Sequence, residues 1–337
     1  MCIRDSNGIG FFNDSASTCG GYIVHQDKGG GNIGDLVFGT SASSDTPVES
    51  LRIDSSGRLL LGTNTARAVG GESNPRLHIE GTGATSNSWV NITRFAANNG
   101  SPNIQFAKSR SNTAGDYTIV QNGDNLGQIS FLGADGTDMA NYAALIKSQV
   151  DGTPGSNDMP GKLVFATTAD GAGFPTPAME INSAGIVTCS SIPSFKCAIA
   201  SDASPNSGVV SEDNGYTLYS AVGGYRDSFN TGSHFNEADG KFTAPVEGLY
   251  FFGFSVMRSS TNGSGSIDLR IKKNASLMMA RTYRVAYTGS FESHNVQTIT
   301  RMSAGHYITF NLGANMSVYE DDSYMFGYLI GLSLIHI

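Results

Sequence analysis

The stretch from residue 229 to residue 254, FNTGSHFNEADGKFTAPVEGLYFFGF, most constrains what this chain can fold into. Near its end, aromatic side chains recur at every second position, at Tyr250, Phe252 and Phe254. That spacing is the period of a β-strand with one buried face. Asp239-Gly240 is typical of a tight turn, and Pro245 suits only an edge strand or a connection. We therefore predict a strand, a turn, a second strand, a loop and a core strand.

The positions of these residues resemble the signature of the C1q family. The matching residues, in chain order, are Asn230, Phe235, Phe242, Gly248, Tyr250, Phe252 and Phe254. One position departs from the pattern, because the phenylalanine expected first falls on Gly224, with Tyr225 beside it. The resemblance covers residues 195–332. It implies a head with a C1q/TNF-like jelly-roll β-sandwich that assembles as a homotrimer.

We expect the core of this head to combine the signature residues with the aromatic residues of the last strand. The expected core residues are Phe235, Phe242, Gly248, Tyr250, Phe252, Phe254, Tyr324, Phe326 and Tyr328. In the last strand the three aromatic residues share one face with Ile330, whereas Met325 and Leu329 occupy the other face. A two-layer sandwich covers only one face of a strand. The second face should therefore be covered by other subunits, in agreement with a trimer.

A second strand of the head is predicted with one apolar and one polar face. Ile267, Leu269 and Ile271 alternate with the polar residues Ser266, Asp268, Arg270 and Lys272. This alternation is typical of a strand that packs one face on a core and exposes the other to water. We therefore expect the polar residues of this strand to be solvated.

The composition favours an all-β protein and excludes some partners. The chain has 42 glycines in 337 residues and only 15% charged residues, as expected for short strands and many turns. The net charge is −8, and no lysine and arginine cluster supplies the basic surface that nucleic acid requires. No stretch approaches the ~20 apolar residues of a membrane span, so we expect no membrane insertion.

The two ends do not continue the patterns beside them. Residues 1–6, MCIRDS, and residues 333–337, SLIHI, resemble translated adapter remnants at the ends of assembled metagenomic fragments. We treat both as artefactual ends and leave them out of the fold argument. The natural protein is then expected to extend upstream of residue 7.

An internal repeat occupies the region before the head. Residues 34–62 correspond to residues 161–187 in strand pattern, loop proline and closing turn, and the offset shifts only from 127 to 128. We assign residues 7–92 and 93–190 to two copies of a β-repeat shaft, with 191–194 as a linker to the head. A unit this short cannot bury its own apolar face, so it must stack on neighbours or on other chains.

Three short segments of the shaft have patterns that need separate interpretation. A weaker version of the repeat is present at residues 103–106 and 127–131. Residues 139–148 have a composition that a helix tolerates, but their position between repeat strands favours a β-strand. Gly29 to Gly34 formally match G-x-G-x-x-G, yet a strand rather than a helix follows, so we predict a turn and no dinucleotide site.

The shaft sequence resembles repeats that are common in tail-fibre proteins of marine bacteriophages. The segments that carry the resemblance are LRIDSSGRLLLGT (51–63), RLHIEGTG (76–83) and VDGTPGSNDMPGKLVFATTADG (150–171). The resemblance covers most of residues 30–190. Related repeats also occur in bacterial surface proteins and other phage-derived proteins.

No pattern in the chain is typical of a catalytic or metal site, and no cofactor is expected. Calcium is left open because residues 135–138 and 320–322 are acidic clusters, although solvated turn carboxylates explain them better. Cys19, Cys189 and Cys197 are an odd number without zinc-site spacing. Free thiols are favoured over a disulfide between the last two.

We therefore predict a structural and receptor-binding virion protein, a phage tail fibre, located on the virion outside the cell. It is expected not to be an enzyme, and its partners are itself and a host surface glycan or protein. A tail-spike polysaccharide depolymerase and a bacterial surface adhesin with the same head remain alternatives. Recognition is expected in the head loops at residues 202–214, 259–266 and 286–295, with Tyr287 and Phe291 as receptor-binding residues.

Overall fold

We describe the fold from a computed structural model of the chain. The described residues are 8–12, 19–30, 33–41, 46–71, 75–82, 88–198, 209–212, 215–218, 229–236, 239–258, 265–287, 292–312 and 318–332. Both expected artefactual ends lie outside these residues. The chain divides into an N-terminal unit, Met1–Thr188, and a C-terminal unit, Cys189–Ile337.

Every regular element in the described residues is a β-strand, as predicted. None of these residues forms a helix able to cross a membrane. The first sheet contains six strands in chain order: β1 Gly8–Phe12, β2 Cys19–Asp27, β3 Gly34–Thr40, β4 Val48–Ile53, β5 Leu59–Leu61 and β6 Leu77–Ile79. The second sheet contains five strands, also in chain order: β7 Asn125–Leu132, β8 Tyr142–Val150, β9 Gly161–Thr167, β10 Thr176–Ile181 and β11 Val187–Cys189.

The internal repeat is larger in the structure than in the sequence. Strands β1 to β5 and strands β7 to β11 follow each other in the same neighbour order, so the duplicated unit has five strands. The turns after β4 and β10 close with the same hydrogen bond, from Gly57 N to Asp54 O and from Gly185 N to Asn182 O. Both glycines have positive φ, 73° and 76°, a conformation that favours glycine.

The local expectations for the shaft have different outcomes. Residues 142–150 form strand β8, so the β prediction is confirmed over the helical alternative. Gly29 and Gly30 have positive φ and lie in the hairpin between β2 and β3, which confirms the turn. Residues 127–131 lie in β7, whereas residues 103–106 form no strand within the single chain.

Equivalent positions of the two copies carry ion pairs of opposite sign. In the first sheet Asp35 on β3 pairs with Arg52 on β4, and both side chains are buried. In the second sheet the equivalent residues are Lys162 and Glu180, whose charged atoms lie 3.4 Å apart. The repeat therefore keeps a cross-strand ion pair at this point while the two charges exchange strands.

Two sheets pack face to face in the head. Their strands are β12 Ser194–Ala198, β13 Val209–Glu212, β14 Gly215–Leu218, β15 Phe229–Thr231, β16 Phe235–Asn236, β17 Lys241–Thr243, β18 Gly248–Arg258, β19 Gly265–Lys273, β20 Leu277–Tyr287, β21 Ser293–Met302, β22 Tyr307–Leu312 and β23 Val318–Leu332. The first sheet has the order β15-β12-β23-β18-β21. The second has the order β13-β14-β22-β17-β16, with β19 beside β22 and β20 beside β19. The first strand of the head, β12, pairs with the last, β23. This arrangement confirms the predicted all-β sandwich.

Aromatic rings from both sheets fill the space between them. Phe195 on β12 stacks on Phe235 at 4.5 Å between ring centroids and on Phe242 at 5.2 Å. Asn230 accepts a hydrogen bond from the backbone of Phe235 and donates one to its carbonyl, at 3.1 and 2.7 Å. The signature asparagine thus holds the turn that delivers Phe235 to the core.

The polar face of β19 differs from the expectation. Asp268 and Lys272 are both only 4% exposed, so the prediction that these residues are solvated is wrong. Asp268 accepts hydrogen bonds from the guanidinium groups of Arg270 and Arg281, which lie on β19 and on its neighbour β20. Because the long arginine side chains fold over the carboxylate, the outer face of this sheet buries its own charges.

Candidate functional site

Strand β18 is apolar on both faces. Tyr250, Phe252 and Phe254 point into the sandwich and are fully buried. The residues between them point to the opposite side, where Leu249 is 39% exposed and Phe251 is partly exposed. Because successive side chains of a strand alternate between faces, this strand presents apolar groups to the core and to the outside at once.

Strand β23 has the same double character, and its orientation corrects the expected core. Met325 is buried and Leu329 packs against the core cluster. Tyr324, Phe326 and Tyr328 lie on the outer face instead of in the sandwich core, so their assignment to the core is wrong. The sequence pattern separates the two groups correctly but does not say which group faces the core.

The outward residues of neighbouring strands meet in one cluster. The centroid of the Phe251 ring lies 5.6 Å from that of Phe326 and 5.5 Å from that of Tyr328. Tyr324 continues the row, 6.2 Å from Phe326. Strand pairing also places Ile299 of β21 directly opposite Phe251. We name this cluster the aromatic face and define it as Leu249, Phe251, Ile299, Tyr324, Phe326, Tyr328 and Ile330.

Two glycines, one on β18 and one on β23, leave room for large rings on the two faces of this sheet. A side chain on Gly253 would collide with the ring of Phe326 on the outer face. A side chain on Gly327 would collide with the ring of Phe252 on the core face. Each glycine therefore gives one large ring a flat place to lie, and the sheet carries close-packed rings on both sides.

The aromatic face is edged by cationic side chains. The ammonium group of Lys196 on β12 lies 5.6 Å from the centroid of the Tyr324 ring. Lys196 pairs directly with Phe229 of β15, which is 50% exposed. At the other edge, Arg301 of β21 is paired with Leu249. An apolar centre with a polar rim is the usual design of a protein interaction surface, not of a catalytic cleft.

The structure offers no metal centre in the residues it describes. In the first acidic cluster, Asp135 accepts hydrogen bonds from the backbone N–H groups of Thr137 and Asp138 and from the amide of Asn141. These bonds hold the pKa of Asp135 below its ordinary value. The carboxylate is thus engaged in its own turn. Residues 320–322 lie in β23, and their side chains are not among those described.

Of the two expected receptor-binding residues, the structure describes only the backbone of Tyr287. Tyr287 ends strand β20, where its backbone pairs with Gly265. Phe291 lies outside the described residues, as do most of the three recognition loops. Cys189 is exposed, Cys197 is buried and Cys19 is half-buried, and none of these three described cysteines forms a disulfide. The sequence pattern predicted a second, outward apolar face on β23 but not the β18 part of the aromatic face. The signal for that part is the apolar character of Leu249 and Phe251, which alternate with the core residues of β18.

Comparisons with known proteins address the head most directly. Residues 225–330 match the family model of the C1q domain. No curated protein sequence matches the chain. Among solved structures, the carboxy-terminal domain of the bacteriophage T5 L-shaped tail fibre aligns at 15% identity and a TM-score of 0.44, covering 54% of this chain and 78% of that one. Murine APRIL aligns at 8% identity and a TM-score of 0.32, covering 41% of this chain and 99% of that one.

Proposed function

We propose, from the premise that residues 225–330 match a C1q domain, that this chain is a structural, host-attachment protein of a phage tail fibre. Three copies would join through their heads, and each head would contact a host surface receptor. The single observation that carries the proposal is the aromatic face, which presents a cluster of large rings to solvent on one sheet of the sandwich. The tail-fibre-like repeats of the shaft support the virion location.

The aromatic face has the properties of a surface that other subunits cover. Tyr328 is 43% exposed, Ile330 48% and Ile299 59%, although they lie on the same face of a regular sheet. Burying apolar surface contributes ~25 cal/mol per Å² removed from water, so three such faces around a common axis gain stability by association. A threefold arrangement brings identical faces together and leaves no copy of the face exposed.

The proposed function is binding and not catalysis. Strands are committed to packing, so recognition is expected in the loops of the head, with Tyr287 and Phe291 as candidate contacts. A trimer presents three identical sets of loops to one cell surface. Linked weak contacts then act together, since the second and third contacts form at high effective concentration. A host glycan or a host surface protein would serve as the receptor.

The oligomer can be tested by light scattering on the full chain. We expect a trimer at micromolar concentration for the native sequence, and monomers when Phe251 and Phe326 are both changed to serine. Tyr283→Ser is the matched control, because Tyr283 is an exposed aromatic residue on β20 of the other sheet. A native chain that is folded and monomeric would contradict the proposal.

Host attachment needs a separate measurement. We expect the labelled trimer to bind host cells, and an exchange of residues 286–295 for a loop of unrelated sequence to abolish binding while the trimer persists. Reducing ends released from host polysaccharide above the level of a heat-inactivated sample would instead support the depolymerase alternative. Cell binding that survives replacement of all three loops would move recognition away from them.

A further inference from the structure

A long segment of the N-terminal unit is fully exposed. Every residue from 88 to 108 is solvent-exposed, and none belongs to a strand, a helix or an isolated bridge within the chain. The segment is not polar enough to explain this exposure. Trp89 is 80% exposed, Phe95 96% and Ile104 69%. Large apolar side chains exposed in succession mark a surface that a partner covers.

The backbone of this segment is unpaired as well. No residue from 88 to 109 forms a backbone–backbone hydrogen bond with another residue of the described chain. Among the described residues, the nearest such bonds run from Glu80 N to Leu61 O before the segment and from Arg110 N to Thr118 O after it. Backbone N–H and C=O groups without backbone partners are a template for strand pairing.

The sequence of the segment has the alternation of strands. Ile104 and Phe106 alternate with Asn103, Gln105 and Ala107, which is the period-two pattern of a half-buried strand. Before them, Val90 and Ile92 share one face. Between the two runs lies the sequence NNGSP at residues 98–102, whose composition is typical of a turn.

The part of the N-terminal unit that the structure describes does not cover the segment, although the flanking sheets touch. Tyr142 of β8 donates a hydrogen bond to the carbonyl of Gly70, and Gly70 N bonds to Met139 O. The connection from the first sheet to the second is therefore bridged by these bonds while residues 88–108 remain exposed. Only near its end does the segment return, where Phe106 lies against Gly127 of β7.

We propose that residues 88–109 form strands that pair with the same residues of other copies of this chain. The inference rests on the homotrimer of the proposed function and names where, outside the head, the copies are joined. An identical segment in register pairs the backbone groups along the shared edge over the whole length, as in other sheets built from identical strands. Such a partner is also present whenever the chain is made.

The charge of the segment suits pairing with itself. Residues 88–109 contain two basic residues, Arg94 and Lys108, and no acidic residue. In-register pairing therefore brings like charges together at only two positions, Arg94 and Lys108. In the two strand runs asparagine occurs at positions 91 and 103, and identical asparagine side chains stacked in register can bond to one another. A partner of opposite charge would find little to recognise here.

Hydrogen exchange of the full chain, followed by mass spectrometry, tests the proposal. In the native oligomer we expect amides in peptides from residues 88–109 to exchange at least about a hundredfold more slowly than in an unstructured peptide. Ile104→Pro should remove this protection around position 104 and lower the melting temperature of the oligomer, because proline cannot donate to a ladder. Asn99→Pro, in the turn, is the matched control and should change neither.

The outcomes separate this inference from the proposed function. Light scattering on the same samples gives the oligomeric state. A trimer whose 88–109 amides exchange freely would overturn the strand pairing and leave the head-mediated trimer standing. A monomer would overturn both. Protection that appears only after host cells or a host extract are added would also overturn the inference, since the partner would then be another molecule. Equal behaviour of the two proline variants would count against it too.

Discussion

The head and the shaft bury their apolar side chains in different ways. Between its two sheets the head encloses large rings such as Phe252, Phe254 and Phe310, which are at most 1% exposed. In the described part of the shaft the fully buried apolar side chains are aliphatic, as at Val37, Leu60 and Val164, while rings such as Phe95 and Tyr117 are 96% exposed. A sandwich provides its own second layer, whereas a single sheet does not. The head can therefore fold as a unit, and the shaft depends on what is packed against it.

Electrostatics differ in the same direction. Buried charge in the head is concentrated on β19, where Asp268 is enclosed by two arginines. In the shaft the first copy buries the pair of Asp35 and Arg52, while the pair of Lys162 and Glu180 in the second copy is partly exposed. Removing one partner should thus cost most where the other partner stays buried.

The largest expected effect is the loss of stability when a core ring of the head is removed. Phe252→Ala or Phe254→Ala should lower its free energy of unfolding by about 3–5 kcal/mol per subunit, because each ring leaves a cavity in a packed core. Chemical denaturation monitored by far-ultraviolet circular dichroism measures the change in the free energy of unfolding. Phe229→Ala, at a half-exposed ring, should cost less than about 1 kcal/mol. Equal losses for core and surface variants would refute the core assignment.

Next in size is the buried pair of the shaft. Arg52→Met leaves Asp35 in a buried site with Lys28, at 3.3 Å, as its remaining cation, which should cost about 2–3 kcal/mol. Lys162→Met removes the equivalent partner from a partly exposed pair and should cost about 1 kcal/mol or less. Thermal unfolding of the two full-length variants compares them directly. If Lys162→Met proved the more destabilising, burial would not explain the difference between the copies.

The carboxylate on β19 gives a pH-dependent test of the head. Asp268→Asn should cost about 2 kcal/mol at neutral pH, because both arginines lose a charged acceptor. Burial raises the pKa of Asp268, but the hydrogen bonds from Arg281 and Arg270 outweigh burial and hold that pKa below its ordinary value. Its contribution is therefore complete above about pH 4 and is lost as pH falls through the lower folded pKa.

Denaturation curves at stepped pH values check this sign. The difference between the native sequence and Asp268→Asn should shrink as the solution is acidified. Asp239→Asn is the control, since that side chain is 37% exposed and its carboxylate lies 3.6 Å from Lys241. A difference that grew on acidification would mean that folding raises the pKa of Asp268 instead of lowering it.

The smallest expected effect concerns the reversed charges. Lys162→Asp alone places two negative charges side by side, whereas Lys162→Asp with Glu180→Arg recreates the signs of the first copy. We expect the double variant to unfold within about 0.5 kcal/mol of the native chain and the single variant to be less stable than both. A double-mutant cycle on the full chain measures the coupling. No coupling would mean that the two positions are chosen independently.

Local patterns predicted much of the fold. The alternation at Tyr250 to Phe254 predicted the core strand, and Asp239-Gly240 predicted a turn that the structure contains. The internal repeat predicted two similar sheets. The pattern around residues 103–106 predicted a strand that the single chain does not form. Since a strand needs a partner, alternation reveals the tendency to pair but not the identity of the neighbour.

What the sequence alone determined is which residues share a face of each strand, because alternation is a property of the backbone itself. The tertiary structure decided which face is inside. On β23 both faces are apolar, and only the position of the second sheet turns Met325 inward and Tyr328 outward. On β19 only the neighbouring strand supplies Arg281 to enclose Asp268. Burial depends on what lies across a sheet, and those residues are distant in the chain.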